Sequence, residues 1–170
     1  MRHSNIFLIG PMGTGKSTIG RMLAKEVNRP FFDMDEVIEA KTGATIAWIF
    51  DVEGEAGFRI REKRVLDELT QKSQIILATS GGAILDAESR AMLASRGTVV
   101  YLKTSLGEQY ERTKNDSKRP LLQVDNLEER LESLNSERES LYSNLADVTF
   151  DTDHVGIRNI VNQIIKYSGI

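Results

Sequence analysis

Gly10-Pro11-Met12-Gly13-Thr14-Gly15-Lys16-Ser17, followed by Thr18, has the spacing G-x-x-x-x-G-K-[ST]. Glycines at these positions let a backbone wrap a phosphate group without Cβ clashes. Successive N–H groups and the positive end of a following helix then face the anion. In this pattern Lys16 reaches the β- and γ-phosphates of a nucleotide, and the Ser17 hydroxyl ligates Mg²⁺. The spacing carries meaning only between a strand and a helix. Ile6-Phe7-Leu8-Ile9 enters the loop as a buried-type strand, and Ser17 to Val27 leaves it as a helix-like segment.

Further along, Phe31-Phe32-Asp33-Met34-Asp35 brings two carboxylates close together, and alternation along an extended chain end sets Asp33 and Asp35 on the same side. Two readings stand. Beside a phosphate loop, one carboxylate holds Mg²⁺ through water and the other takes a proton from an attacking hydroxyl. Alternatively, one of them caps the helix beginning near Glu36. Arg59 precedes Glu62 by three residues on one helix face, which makes either a planar fork aimed at an anion or a solvated ion pair. Arg138, with Tyr142 four residues on, carries the same two readings. The strand Ile75 to Ala78 runs into Thr79-Ser80-Gly81-Gly82, where the glycines allow a backbone to approach a ligand closely. No Asp ends that strand, so Asp33 is the candidate metal carboxylate.

The elements that must position these residues alternate. Strands are expected at 5–9, 31–33, 74–79, 98–102 and 147–151, and helices at 15–28, 35–41, 45–52, 54–71, 87–95, 105–115, 126–145 and 155–167. Apolar strands alternating with helices predict an α/β three-layer sandwich, a parallel sheet flanked by helices, with ligands at the carboxyl ends of the strands. Two stretches read as excursions from a single domain: 35–71, too long for one crossover helix, and 115–125, which reads as a mobile loop or lid. A length of 170 residues suits one domain. A net charge of −3 gives no basic field for nucleic acid, and no stretch is long and apolar enough to span a membrane. The absence of cysteine excludes disulfides and thiolate metal sites and fits a reducing cytoplasm. The two histidines, His3 and His154, are too far apart in sequence to suggest a histidine-rich metal centre.

In order and spacing these segments resemble the shikimate kinases, over essentially the whole chain. The matching stretches are Gly10 to Thr18, Asp33-Met34-Asp35, Gly54 to Glu62, Ala78 to Gly82, Lys118-Arg119-Pro120-Leu121-Leu122 and Arg138 to Tyr142. The resemblance implies a five-stranded parallel sheet of the phosphate-loop NTPase type. It implies γ-phosphoryl transfer from ATP to the 3-hydroxyl of shikimate by a cytoplasmic monomer, with one Mg²⁺ per subunit. By position it implies that the loop amides from Gly13 to Thr18 and Lys16 hold the phosphates, and that Ser17 and Asp33 serve Mg²⁺. It makes Asp35 the base and hydroxyl ligand. Arg59 and Arg138 become the carboxylate clamp, with Glu62 orienting Arg59. Gly81 and Gly82 become shikimate contacts, Arg112 an adenine neighbour and Arg119 the lid arginine. The family pattern has three glycines where this chain has Ser80-Gly81-Gly82. Ser80 is therefore expected in the β region at its strand's end, its hydroxyl near the phosphate or the Mg²⁺ water shell, with the unusual dihedrals left to Gly81 and Gly82. A gluconate-type kinase of the same fold, or a nucleotide-dependent binding module without turnover, would share the loop. Neither needs the arginine pair.

Overall fold

A computed structural model describes residues 4–170, so His3 lies outside the described residues. The five strands are β1 (Ile6–Ile9), β2 (Phe31–Asp33), β3 (Ile76–Ala78), β4 (Thr98–Lys103) and β5 (Val148–Asp151). They form one sheet in the order β2-β3-β1-β4-β5, every neighbouring pair parallel. Asp33 and Leu8 both lie level with Ala78, and Ile9 with Tyr101. The carboxyl ends of β2, β3 and β1 therefore finish side by side, and the three candidate segments leave the sheet at one edge.

The helices are α1 (Lys16–Glu26), α2 (Met34–Thr42), α3 (Ile46–Thr70), α4 (Ala87–Arg96), α5 (Leu106–Thr113), α6 (Leu127–Leu145) and α7 (Ile157–Ser168). All four residues of β1 are buried, because helices cover both faces of the sheet. Ile6 and Leu8 pack with Leu23 of α1 and Ile164 of α7. Phe7 and Ile9 point the other way and pack with Leu66 of α3, Leu93 of α4 and Tyr142 of α6. A burial of this kind contributes about 1.5–3 kcal/mol for each Leu, Ile or Phe side chain. A small third cluster joins Leu122, Leu131 and Leu134 beneath the 115–125 stretch.

The two helices expected at 45–52 and 54–71 run together as α3, but the backbone leaves helical geometry at Gly54 (φ 72°, ψ 179°). The sequence break is thus a kink at a conformation only glycine adopts readily. The strand expected over 74–79 is shorter, because Gln74 takes φ 59°. Thr79 still continues its line, its N–H donating to the Leu8 carbonyl at 3.1 Å. Two 3₁₀ turns, Ala83–Leu85 and Pro120–Leu122, were not expected. The alternation argument for Asp33 and Asp35 fails: β2 ends at Asp33, and Asp35 already lies in the first turn of α2.

Candidate active site

The loop after β1 bends through Gly10 (φ 149°), Gly13 (φ 80°) and Gly15 (φ 89°). A Cβ on Gly10 would run into the Leu102 carbonyl of β4, so this turn needs glycine for space as well as for dihedral freedom. No side chain caps α1, which leaves its first N–H groups for an anion. Thr14 is buried, and its hydroxyl donates to the Pro11 carbonyl at 3.1 Å, so its contribution to a ligand is its backbone. Lys16 Nζ donates to the carbonyls of Gly10 (2.7 Å) and Pro11 (2.8 Å). Burial, reinforced by Arg119, pulls the Lys16 pKa down to about 7 against the attraction of Asp35 and Asp33.

The capping reading holds for Asp33, which leaves one carboxylate oxygen for the phosphate loop. One carboxylate oxygen accepts the Glu36 N–H at 3.2 Å and caps α2; the other accepts the Ser17 hydroxyl. Asp35 caps nothing. Burial, followed by the neighbouring Asp33 charge, raises its pKa to about 6. A carboxyl held there is poised to exchange a proton near neutral pH.

Two cavities open at this edge of the sheet. The larger, about 300 Å³, is bounded by the phosphate loop, including Gly13, Gly15, Ser17 and Thr18, and by Asp33 and Arg112. The smaller, about 80 Å³, is bounded by Phe58, Arg59, Glu62, Gly82 and Arg138, with Lys118 to Leu121 across its mouth. Met12, Asp35, Gly81 and Arg119 line both. A carboxyl of raised pKa and a guanidinium thus stand where an anionic donor in one cavity would meet an acceptor in the other.

The guanidinium groups of Arg59 and Arg138 line the smaller cavity. Arg59 Nη1 donates to both Glu62 oxygens (2.9 and 3.0 Å), and its Nη2 reaches Glu55 at 3.2 Å. Burial opposes the Arg59 charge, but Glu62 and Glu55 outweigh it and hold the pKa above the usual value. Arg138 on α6 is only 4% exposed, and its Nε is the one buried side-chain polar atom among the described residues with no hydrogen-bond partner. An orphaned buried N–H of a cation costs free energy until an acceptor arrives. Tyr142 donates its hydroxyl to the Gly81 carbonyl at 2.5 Å and so fixes that turn to α6.

Three expectations for the glycine turn are corrected. Neither Gly81 nor Gly82 has positive φ, and Gly82 sits at φ −95°. Glycine is required at 82 for room: a Cβ there would overlap the Arg59 guanidinium. Ser80 has no positive φ either, as expected, but it lies beyond the end of β3, and its hydroxyl turns to Glu62 rather than toward the phosphate cavity.

Of the remaining expected residues, Arg112 donates to the Gly13 carbonyl at 2.9 Å, and Arg119 pairs with Asp116 at 2.7 Å. Sequence reasoning missed Met12 as a wall shared by both cavities and missed the Asp116 contact. The Asp-x-x-Arg spacing of 116 and 119 was a usable signal for the second.

This fold and these joined cavities define a phosphate-loop phosphotransferase with a site for a small anionic acceptor. The family model for shikimate kinase matches residues 12–168. A shikimate kinase of Legionella pneumophila is 64% identical over 163 residues, 96% of this chain and 93% of that protein. One from Francisella tularensis subsp. holarctica is 56% identical over 168 residues, 98% of this chain and 96% of its own. The structure of shikimate kinase from Acinetobacter baumannii in complex with shikimate superposes with a TM-score of 0.94 at 50% identity, covering 96% of this chain and 91% of that one. The chain belongs to the shikimate kinase family.

Proposed function

We propose that the protein transfers the γ-phosphoryl group of ATP to the 3-hydroxyl of shikimate, giving shikimate 3-phosphate and ADP. The observation that carries this reading is the sharing of Asp35 and Arg119 by the two cavities. Arg59 and Arg138 bind the shikimate carboxylate, and the unpaired Arg138 Nε gains its acceptor. The backbone of Gly81 and Gly82 closes against the ring. Asp35 accepts the proton of the hydroxyl whose oxygen attacks the γ-phosphorus. The bond from that phosphorus to the β–γ bridging oxygen breaks, and ADP leaves with the bridging oxygen. Lys16 exchanges its two loop carbonyls for phosphate oxygens, and a phosphate charge there restores its full positive charge against burial. Arg119 neutralises charge on the group in transfer, and positioning with charge neutralisation is what this reaction requires. Arg112 borders the nucleotide.

The residues at the phosphate cavity fit Mg²⁺. Ser17 and Asp33 present hard oxygen donors side by side. Among the described residues no group of three or more His, Cys, Asp or Glu could hold a metal alone, which suits an ion that also takes water and phosphate oxygens as ligands. When bound with the nucleotide, Mg²⁺ supplies charge neutralisation on the phosphate oxygens. The same reading makes the chain one kinase domain, with 35–71 as the acceptor-binding excursion and 115–125 as the closing segment. The same reading takes the working unit to be a monomer. Use of ATP supports a cytoplasmic location. No described helix is long and apolar enough to cross a membrane.

A coupled ADP-release assay with a panel of hydroxy acids tests the reaction. Release that depends on shikimate and is weak with gluconate is expected. Release that ignores shikimate, or that gluconate supports better, would select the alternative kinase. Nucleotide binding with no acceptor-dependent release would select the binding module.

A further inference from the structure

Glu62 is only 3% exposed, so its carboxylate depends on protein partners. Arg59 Nη1 occupies both oxygens at 2.9 and 3.0 Å. Ser80 Oγ, itself buried, donates to Oε2 at 2.5 Å, in the range of a strong charge-assisted bond. The bond spans two elements. Glu62 and Arg59 stand on α3, whereas Ser80 begins the turn whose next two residues, Gly81 and Gly82, border the acceptor cavity. Arg59 rests in the space that a Gly82 side chain would fill. The turn, Glu62 and Arg59 therefore form one contact unit, and the Ser80 hydroxyl makes the only side-chain hydrogen bond between this turn and α3 among the described residues.

We propose that Ser80 is a positioning residue for the acceptor: its hydroxyl holds Glu62 in register with the turn, and Glu62 in turn aims the Arg59 fork at the acceptor carboxylate. The inference rests on the proposed role of Arg59. Ser80 lines the acceptor cavity and not the phosphate cavity, so the loss of its hydroxyl falls on acceptor binding and spares ATP.

Steady-state kinetics of Ser80→Ala, Glu62→Gln, the double variant and Arg59→Ala test it. Ser80→Ala is expected to raise the shikimate KM about tenfold, with the ATP KM unchanged and kcat within about twofold (tenfold being about 1.4 kcal/mol). Because Ser80 acts through Glu62, adding Ser80→Ala to Glu62→Gln should raise the shikimate KM less than about twofold further. An unchanged shikimate KM in Ser80→Ala, equal losses for both substrates, or additive losses in the double variant would overturn the inference. Should Ser80→Ala not fold, Ser80→Gly is read by the same criteria. Arg59→Ala separates the two layers. If it leaves the shikimate KM unchanged, the clamp itself is wrong. If it raises that KM while Ser80→Ala does not, only the Ser80 inference falls.

Discussion

Lys16 shows how one side chain ties the fold to the chemistry. Its ammonium is curled onto the carbonyls of Gly10 and Pro11, and burial lowers its pKa to about 7. It is costly to charge there until a phosphate arrives. Lys16→Met should therefore abolish phosphoryl transfer while leaving the far-UV circular dichroism unchanged; near-normal turnover would contradict its role. The proposed arginine clamp makes a different kind of demand. Arg138 is buried with an unpaired Nε, and Arg59 is held by Glu62. Truncating either to Ala should weaken shikimate binding by roughly 2–5 kcal/mol, with little effect on ATP binding, in isothermal titrations with each substrate. Equal losses for the two ligands would count against the clamp. At this scale the sequence was legible where a residue type has few uses, as with Lys16 after the glycine loop. It was not legible where a hydroxyl has many partners within reach. Ser80 could face either a phosphate or a carboxylate, and only the packing of the turn against α3 decides for Glu62.

Among the elements, α3 is the one that local chemistry shapes most visibly. Its Gly54 holds φ 72° and ψ 179°, and a Cβ there would meet nothing within 4 Å. Gly54→Ala therefore isolates backbone strain from packing. It should destabilise the protein by roughly 1–3 kcal/mol in chemical denaturation, since only the positive φ with extended ψ is penalised. An effect near zero would mean that the kink relaxes into continuous helix. The helices expected from the sequence end at 52 and begin again at 54, which sets a boundary beside this kink. The corner between β2 and α2 was harder to read. Met34 is fully buried against the core, and the helix starts there, so Asp35 reaches the site from a helical turn and not from an extended strand. Tertiary burial of one methionine overrode the alternation rule.

Over the whole molecule, the parallel sheet was readable because buried strands such as β1 alternate with helices, and the register then brings Gly10, Asp33 and Thr79 to one edge. The meeting of two cavities at Asp35 was not readable, since it depends on how the 115–125 stretch folds over Leu131 and Leu134. That convergence of charge has a cost for the ligand-free fold, and its sign can be worked out. The Asp35 pKa rises from 3.8 to about 6, so its contribution is fully present below pH 3.8 and is lost as pH climbs through about 6. Lys16 is depressed from 10.5 to about 7, so its contribution is present above pH 10.5 and is lost as pH falls through about 7. Together they give the ligand-free protein a stability minimum between about pH 6 and 7 from this pair. Asp35→Asn should remove the loss between pH 4 and 6, on the order of 1–3 kcal/mol, in denaturant titrations across that range. The same variant should lose most of kcat with ATP affinity nearly unchanged. An unaltered pH slope would mean that Asp35 is not the buried charge inferred here, and an active Asp35→Asn enzyme would mean that it is not the base.

In the proposed reaction, donor and acceptor meet at Asp35 and Arg119, with the acceptor carboxylate on Arg59 and Arg138. A crystal structure of the protein with shikimate, Mg²⁺ and a non-hydrolysable ATP analogue tests it most directly. The expected complex has the shikimate carboxylate within hydrogen-bond distance of both clamp arginines, the 3-hydroxyl on Asp35 and facing the γ-phosphorus, and the γ-phosphate within reach of Lys16 and Arg119. Shikimate bound with its carboxylate away from Arg59 and Arg138, or with another hydroxyl facing the γ-phosphorus, would contradict it.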